Sequence, residues 1–122
     1  MKLHESGENY LETILILKKV KPAIRAVDIG AELGYSKSSV SRAVNLLKTE
    51  GLITVGEDGI IEFTDSGKTI AEQTYRRHCA LTRFFIRLGV DSVIAEKDAC
   101  RIEHDISGET FAAIEKFLGD AD

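Results

Sequence analysis

The apolar positions of the N-terminal segment recur with the 3.6-residue period of an amphipathic helix. They predict a first helix over residues 7–20, with Ser6 as its N-cap and Pro22 just beyond its end. Lysines cluster at the end of this segment, where the helix dipole favours positive charge. The apolar positions that define the helix are Tyr10, Ile14 and Leu17.

Two more amphipathic segments follow, and a glycine lies between them. A short helix is predicted over residues 25–33 and a longer one over residues 36–50, with Gly34 in the turn and Gly51 after the second helix. Two helices joined by a few residues around a glycine are typical of a helix-turn-helix. The second helix is predicted to pack on its domain through Val40, Val44 and Leu47.

After Gly51 the pattern changes to two short β-rich runs, LITV and IIEF, which are separated by GEDG. Asp58 and Gly59 are a favourable pair for a hairpin turn that needs positive φ. A hairpin that directly follows the recognition helix of a helix-turn-helix is a wing. This part of the chain is therefore predicted to form a winged helix with a two-stranded wing.

The C-terminal half is predicted to be helical. Thr64 caps a long helix over residues 64–88, and two shorter helices follow over residues 92–106 and 107–118. The inner face of the long helix is predicted to hold Ile70, Thr74, His78, Leu81, Phe85 and Leu88. The last helix is predicted to bury Phe111, Ile114, Phe117 and Leu118. The predicted fold class is mostly α, with a winged-helix domain in residues 1–73 and a helical domain in residues 74–122.

Composition narrows the class of protein. With 122 residues, 43% of them hydrophobic and 30% charged, the chain is expected to form one compact domain or two small units that share a core. No apolar run approaches the ~20 residues that a membrane span needs, and the N-terminus lacks the apolar core of a secretory signal. The expected location is the cytoplasm, where Cys79 and Cys100 are free thiols or metal ligands.

The net charge of −4 conceals an uneven distribution along the chain. Residues 18–50 carry seven Lys and Arg against three Asp and Glu, whereas residues 90–122 carry three against nine. The basic block suits DNA phosphates and the acidic block suits cations. Ordinary surface charge explains both blocks equally well.

The outward-facing residues at the start of the recognition helix suit contact with the DNA major groove. Serine and lysine bond phosphate oxygens, and Arg42 can form two hydrogen bonds with a guanine edge. Glu57 and Asp58 in the wing loop repel phosphates, so the wing contact is expected to be weak or water-mediated. The predicted DNA-binding residues are Ser36, Lys37, Ser38, Ser39, Ser41, Arg42 and Asn45. A winged-helix module that binds another protein is the alternative.

The segment DACRIEHDIS holds the most specific chemical pattern. On a helix, the spacing of Cys100, Glu103 and His104 places a thiolate, a carboxylate and an imidazole on one face. These groups are common ligands of transition metals. The other helices offer further candidate ligands, namely His78, Asn9 and Glu12.

Interpretations without a metal also fit these residues. Glu103 and His104 then form a solvated ion pair, His78 is a core histidine, and Cys100 is a small buried hydrophobe, while Cys79 is assigned to packing in either case. An enzyme with Cys100 as nucleophile and His104 as base lacks oxyanion donors and an orienting third group. No catalytic residues are therefore assigned.

Several runs within residues 5–118 resemble the DtxR/MntR family of iron- and manganese-dependent transcriptional repressors. They are ENYLETI, VDIGAELGYSKSSVSRAVNLLKTEGLI, FTDSGK, YRRH and DACRIEHDIS, the last being the most specific. The resemblance implies a winged helix and a helical domain that dimerises and binds metal, without the SH3-like domain of larger members, for which the chain is too short. It also implies that the metal is a corepressor, which orders the first helix and sets the spacing of two recognition helices on a palindromic operator.

The resemblance also implies a set of metal ligands. One group of family ligands matches Asn9, Cys100, Glu103 and His104, and another matches Glu12 and His78. The iron-type members build an ancillary site from the residue that matches His78 and from two residues that align with Thr82 and Glu96. Glu96 retains a metal donor, whereas Thr82 departs from the pattern. The manganese-type members carry carboxylates where Asn9 and Cys100 stand.

A thiolate at Cys100 favours Fe²⁺, Co²⁺ or Zn²⁺ over Mn²⁺, unless Cys100 binds only through its backbone carbonyl. The expected cofactor is therefore Fe²⁺, followed by Mn²⁺, with Co²⁺, Ni²⁺ and Zn²⁺ as substitutes. The expected function is a homodimeric repressor of metal-uptake genes that binds double-stranded DNA and no membrane. The alternative is a winged-helix DNA-binding or interaction module whose metal site has decayed.

Overall fold

The structure is a computed structural model that describes residues 5–121, and within this range it contains six helices and one two-stranded sheet. The elements are α1 (Glu5–Val20), α2 (Ala26–Leu33), α3 (Lys37–Thr49), β1 (Ile53–Val55), β2 (Ile61–Phe63), α4 (Asp65–Arg87), α5 (Ser92–Ile102) and α6 (Gly108–Ala121). The chain forms two compact units, of which the first ends at Glu72 and the second begins at Gln73. The mostly helical fold class is confirmed, whereas the functional division at residues 73 and 74 stays a prediction. None of the described helices is long and apolar enough to cross a membrane.

The first unit contains the predicted helix-turn-helix. Gly34 ends α2 with φ 71°, a left-handed conformation that glycine adopts without steric cost, and its N–H donates to the carbonyl of Gly30 at 2.9 Å. The hydroxyl of Ser36 accepts a hydrogen bond from the N–H of Ser39 at 3.2 Å and so acts as the N-cap of α3. The buried core of this unit consists of Tyr10, Leu11, Ile14, Ile24, Ile29, Val40, Val44, Leu47, Leu52, Ile53, Ile61 and Ala71.

A carboxylate stabilises the start of α2. Oδ2 of Asp28 accepts the backbone N–H of Arg25 at 2.8 Å, and Oδ1 accepts a hydrogen bond from Nζ of Lys21 at 3.0 Å. These contacts, the backbone hydrogen bond first, hold the pKa of Asp28 below its ordinary value. The first turn of α2 therefore depends on the charged form of this side chain.

The predicted wing is present as a short antiparallel hairpin. Thr54 of β1 lies opposite Glu62 of β2, and the N–H of Ile61 donates to the carbonyl of Ile24 at 2.8 Å. The residues before α2 thus extend the hydrogen bonding of the hairpin. This contact ties the wing to the helix-turn-helix.

The turn of the wing has positive φ at Gly59 but not at Asp58, the other residue of the predicted turn pair. The N–H of Gly59 donates to the carbonyl of Gly56 at 2.9 Å, and among the described residues positive φ is confined to glycines, including Gly59 at 83°. Asp58 therefore lies at negative φ. Oδ1 of Asp58 accepts a hydrogen bond from the N–H of Ile60 at 3.1 Å. The side chain of Asp58 therefore stabilises the turn.

The start of α4 packs against the chain that precedes the wing. The hydroxyl of Thr64 accepts the N–H of Gly67 at 3.1 Å and donates to the carbonyl of Gly51 at 2.7 Å, which confirms the predicted cap. A Cβ at Gly67 would overlap the carbonyl of Leu52. Glycine is therefore required where α4 approaches the main chain this closely.

The second unit contains the C-terminal part of α4 together with α5 and α6. Gly89 follows α4 with φ 100°, and Oδ2 of Asp91 caps α5 by accepting the N–H groups of Val93 and Ile94 at 3.1 and 3.4 Å. The core of this unit consists of Ala80, Phe111 and Leu118, with Phe84, Ile106 and Ile114 packed against them.

Several local predictions are wrong. Ser6 is not an N-cap, because it already lies inside α1. The fifth helix ends at Ile102 rather than at residue 106. Leu88 lies beyond the end of α4 and is 62% exposed, and Phe117 is 49% exposed, so neither belongs to the buried face on which periodicity placed it.

Candidate metal centre and nucleic-acid surface

Two of the predicted metal ligands lie in the turn that follows α5. Glu103 keeps a right-handed helical backbone conformation as the C-cap of α5, and its N–H donates to the carbonyl of Ala99 at 3.0 Å. The N–H of Ile106 then donates to the carbonyl of Ile102 at 3.0 Å and closes the turn. Glu103 and His104 thus project from a hydrogen-bonded turn, not from regular helix.

The carboxylate of Glu103 lies between two imidazoles. Its Oε2 is 2.9 Å from Nδ1 of His78, which α4 supplies, and its Oε1 is 3.3 Å from Nε2 of His104. The side chains of Glu103, His104 and His78 are 0%, 3% and 16% exposed. Burying a charge costs free energy unless nearby groups compensate it. The second unit therefore holds one carboxylate and two nitrogen donors largely out of water.

These donors fit a divalent transition metal. Imidazole nitrogen and carboxylate oxygen suit Fe²⁺, Mn²⁺ and Zn²⁺. Oε1 of Glu103 is fully buried, and apart from its 3.3 Å contact with Nε2 of His104 it has no hydrogen-bond partner among the described residues. A bound cation would supply such a partner. Oε1 of Glu96 lies 3.9 Å from Nε2 of His78, on the exposed side of the cluster, so the predicted ancillary ligand is close to its predicted partner.

The environment of Cys100 differs from that of the buried ligands. Cys100 is exposed on α5, whereas Glu103 is buried at the C-cap of the same helix. The role of Cys100 as a ligand stays a prediction. Cys100 is not the small buried hydrophobe of the alternative interpretation. The hydroxyl of Thr82 donates to the carbonyl of His78 at 2.7 Å, which accounts for this residue without a metal.

Asn9 and Glu12 lie one turn apart on α1, in the first unit. The carbonyl of Asn9 accepts the hydroxyl of Thr13 at 2.8 Å, and its side chain is half-buried. Glu12 is only 8% exposed, although it lies next to the core residue Leu11. A carboxylate in such a place requires a compensating group. The roles of Asn9 and Glu12 as ligands stay predictions.

The predicted recognition helix presents a polar surface. Val40, Val44 and Leu47 are buried beneath α3, so its opposite side faces solvent. Of the predicted DNA-binding residues, Ser39 is half-buried and the others are exposed, namely Ser36, Lys37, Ser38, Ser41, Arg42 and Asn45. The hydroxyls of Ser36 and Ser39 already form the cap of α3, with 3.0 Å between them. Arg42 and Lys37 are therefore the strongest candidates for contact with bases and phosphates.

An arginine that sequence reasoning missed holds the tip of the wing. Nε of Arg25 donates to the carbonyl of Asp58 at 3.0 Å. The guanidinium also places positive charge beside the acidic wing loop, which reduces its repulsion of phosphate. The contact lies between residues 33 positions apart, so no local pattern could have indicated it.

Two family profiles together match most of the chain. The profile described as "Iron dependent repressor, N-terminal DNA binding domain" matches residues 2–59, and "Iron dependent repressor, metal binding and dimerisation domain" matches residues 64–122. The transcriptional regulator MntR of Escherichia coli O6:H1 is 34% identical over 110 residues, which cover 90% of this chain and 71% of that protein. The chain belongs to the iron-dependent repressor family. The resemblance drawn from the sequence runs is thereby confirmed.

Other members of the iron-dependent repressor family agree with this assignment. The diphtheria toxin repressor of Corynebacterium diphtheriae is 30% identical over 97% of this chain and 53% of its own length. A solved structure described as a manganese-dependent transcriptional repressor in complex with manganese is 27% identical, with a TM-score of 0.84 over 93% of this chain and 52% of that one. The chain therefore spans about half the length of these two relatives. The family consists of metal-dependent transcriptional regulators and not of enzymes.

Proposed function

We propose that this chain is a homodimeric repressor whose binding to DNA is activated by a divalent metal ion. The observation that carries the proposal is the buried Glu103 carboxylate between His78 and His104, in a chain of the iron-dependent repressor family. The exposed polar side of α3 supplies a surface that suits the major groove. One unit thus offers a metal site and the other a DNA-binding surface.

The metal ligands proposed in the second unit are His78, Glu103 and His104. A bound cation supplies the positive charge that the buried carboxylate needs. Asn9, Glu12, Glu96 and Cys100 are proposed as further metal ligands.

The proposed metal is Fe²⁺ or Mn²⁺. The preference for Fe²⁺ depends on a thiolate from Cys100, and this residue is exposed, whereas the buried donors are nitrogen and oxygen. Exposure of the thiol therefore strengthens the case for Mn²⁺ relative to the expectation from sequence. The proposed targets are genes for uptake of the same metal, and the proposed place of action is the cytoplasm.

An apolar surface in the second unit supports a homodimer. Five large hydrophobic residues there are at least 45% exposed, namely Ile86, Leu88, Val93, Ile94 and Phe117. Exposed apolar side chains that form one patch mark an interaction surface. A twofold dimer presents two recognition helices in symmetric positions, so the proposed operator is palindromic.

Metal dependence of DNA affinity tests the function. DNA that the full chain selects from a random-sequence library in the presence of Mn²⁺ serves as the operator, and its affinity is then measured with chelator and with Mn²⁺ or Fe²⁺. We expect metal to raise the affinity at least ~10-fold, a coupling of about 1.4 kcal/mol. His104→Ala removes this gain, whereas Glu109→Ala, a change at an exposed position of α6, retains it. Equal affinity with chelator and with metal refutes the proposal and supports a decayed metal site.

Self-association tests the dimer separately. Ile94→Arg is expected to shift the sedimentation of the protein towards the monomer while its helical circular dichroism is unchanged. Val20→Arg is the matched control, because Val20 is 83% exposed in the first unit. A dimer that is equally stable in both variants places the interface elsewhere.

A further inference from the structure

Arg77, on α4, contacts the turn that carries Glu103 and His104. Its Nη1 donates to the carbonyl of Ile106 at 2.8 Å and to the carbonyl of Glu103 at 3.2 Å. The final carbonyls of a helix lack partners within the helix, and a cation at this end is also favoured by the helix dipole. One guanidinium nitrogen thus joins the two ends of the turn.

A second contact fixes the guanidinium itself. Its central carbon lies 5.3 Å from the ring centroid of Phe111, a residue of α6 that is only 7% exposed. Cation–π contact at this distance is favourable, and a buried ring leaves the guanidinium little freedom to move. The side chain of Arg77 therefore has one preferred position, between α6 and the turn after α5.

We infer that Arg77 is a positioning residue for the metal ligands, an inference that rests on the proposed function. Helix α4 contacts Glu103 twice: Arg77 holds its backbone carbonyl, and His78 meets its carboxylate 2.9 Å away. A bound cation would replace the hydrogen bond between Glu103 and His78. Because Arg77 fixes the backbone of the turn, the side chains of Glu103 and His104 would keep their orientation during this exchange. Residues that hold a ligand in this way strengthen metal binding although they do not touch the ion.

The neighbouring arginine provides a matched control. Arg76 lies on the same helix and is also near Phe111, at 5.8 Å, but its guanidinium pairs with the carboxylate of Glu115 at 2.6 and 2.7 Å. Among the described residues it forms no hydrogen bond with the turn, and its side chain is 65% exposed. Arg76→Gln and Arg77→Gln therefore remove the same charge from adjacent positions, and only the second releases the turn.

Two measurements on the full chain test this inference. Mn²⁺ affinity, measured by electron paramagnetic resonance, is expected to fall about 10- to 100-fold in Arg77→Gln and to stay near the wild-type value in Arg76→Gln. Arg77→Lys should restore most of the affinity, because an ammonium group can also donate to two carbonyls. Amide hydrogen exchange of residues 103–107 without metal should be faster in Arg77→Gln only, while global unfolding by urea shows that each variant is folded.

The outcomes separate this inference from the proposed function. Unchanged Mn²⁺ affinity in Arg77→Gln, or equal losses in Arg76→Gln and Arg77→Gln, overturns the positioning role. Failure of Arg77→Lys to restore affinity also counts against a bond to the carbonyls. If the wild-type chain binds neither Mn²⁺ nor Fe²⁺, the proposed function fails, and the exchange rates alone decide whether Arg77 fixes the turn.

Discussion

Replacement of Glu103 by glutamine separates metal binding from folding. Glu103→Gln keeps the size of the side chain and an oxygen that can accept a hydrogen bond from Nδ1 of His78, but it removes the negative charge. Because the wild-type carboxylate is 0% exposed, the free-energy cost of its desolvation offsets much of the stability that its contacts contribute. We therefore expect the free energy of unfolding without metal to change by no more than about 1 kcal/mol.

The effect on metal binding is expected to be much larger. Loss of a residue that merely supports a ligand weakens binding about 10- to 100-fold, so loss of the ligand itself should cost at least about 100-fold. At an Mn²⁺ concentration ~100 times the wild-type Kd, binding raises the free energy of unfolding by about 2.7 kcal/mol. A variant that binds ~100-fold more weakly gains only about 0.4 kcal/mol under the same conditions.

Thermal unfolding followed by far-ultraviolet circular dichroism measures this difference at fixed protein concentration. With about 3–5 °C per kcal/mol for a chain of this size, Mn²⁺ should raise the Tm by about 10 °C in the wild type and by about 2 °C in Glu103→Gln. Glu109→Gln is the control, because it makes the same charge change at an exposed position of α6. A full Mn²⁺ shift in Glu103→Gln would refute the assignment of Glu103 as a ligand.

Three further predictions concern the first unit and the end of α6. Asp28→Asn should destabilise the protein by about 0.5–1 kcal/mol at neutral pH. The folded-state pKa of Asp28 is lowered, so its contribution to stability is complete above the ordinary carboxyl pKa. That contribution is lost as the pH falls through the folded-state pKa. The urea midpoints of the variant and the wild type should therefore converge in acid. Gly67→Ala should cost at least about 2 kcal/mol in urea unfolding, whereas Gly119→Ala, which has open space around it, should stabilise α6 by up to about 1 kcal/mol. Arg42→Ala should weaken operator binding by about 1–3 kcal/mol in a fluorescence anisotropy titration, and Lys48→Ala, at the far end of α3, should weaken it less.

The helix-turn-helix was predictable because its signals are local. Gly34 lies at the end of α2 in a left-handed conformation that favours glycine, and Ser36 caps the start of α3 with its side chain. Thr64 is a third case, since its hydroxyl can reach the first turn of the helix that follows it. Capping and left-handed turns depend on a few neighbouring residues, so the sequence carries them completely.

The end of α5 was not predictable in the same way. No glycine or proline follows Ile102 until Gly108, so the helical pattern continues through the segment that forms the turn. The turn where the helix ends is also held by a tertiary contact, because Arg77 bonds to the carbonyl of Glu103 across 26 positions of the chain. The candidate metal ligands were therefore identifiable from sequence by residue type, but the turn that carries Glu103 and His104 was not.

The wrong assignments of Leu88 and Phe117 have a related cause. Periodicity shows which side of a helix is apolar, but it does not show whether the chain itself covers that side. Both residues are exposed in the described structure, and both lie on the surface that we propose for the dimer. A second copy of the chain on that surface would account for their apolar character.

A crystal structure of the protein grown with Mn²⁺, with the ion located by its anomalous scattering, would show whether Glu103 binds the metal. We expect an ion bonded to the carboxylate of Glu103 and to at least one of His78 and His104. An ion that binds elsewhere, with the 2.9 Å contact between His78 and Glu103 intact, would contradict this expectation.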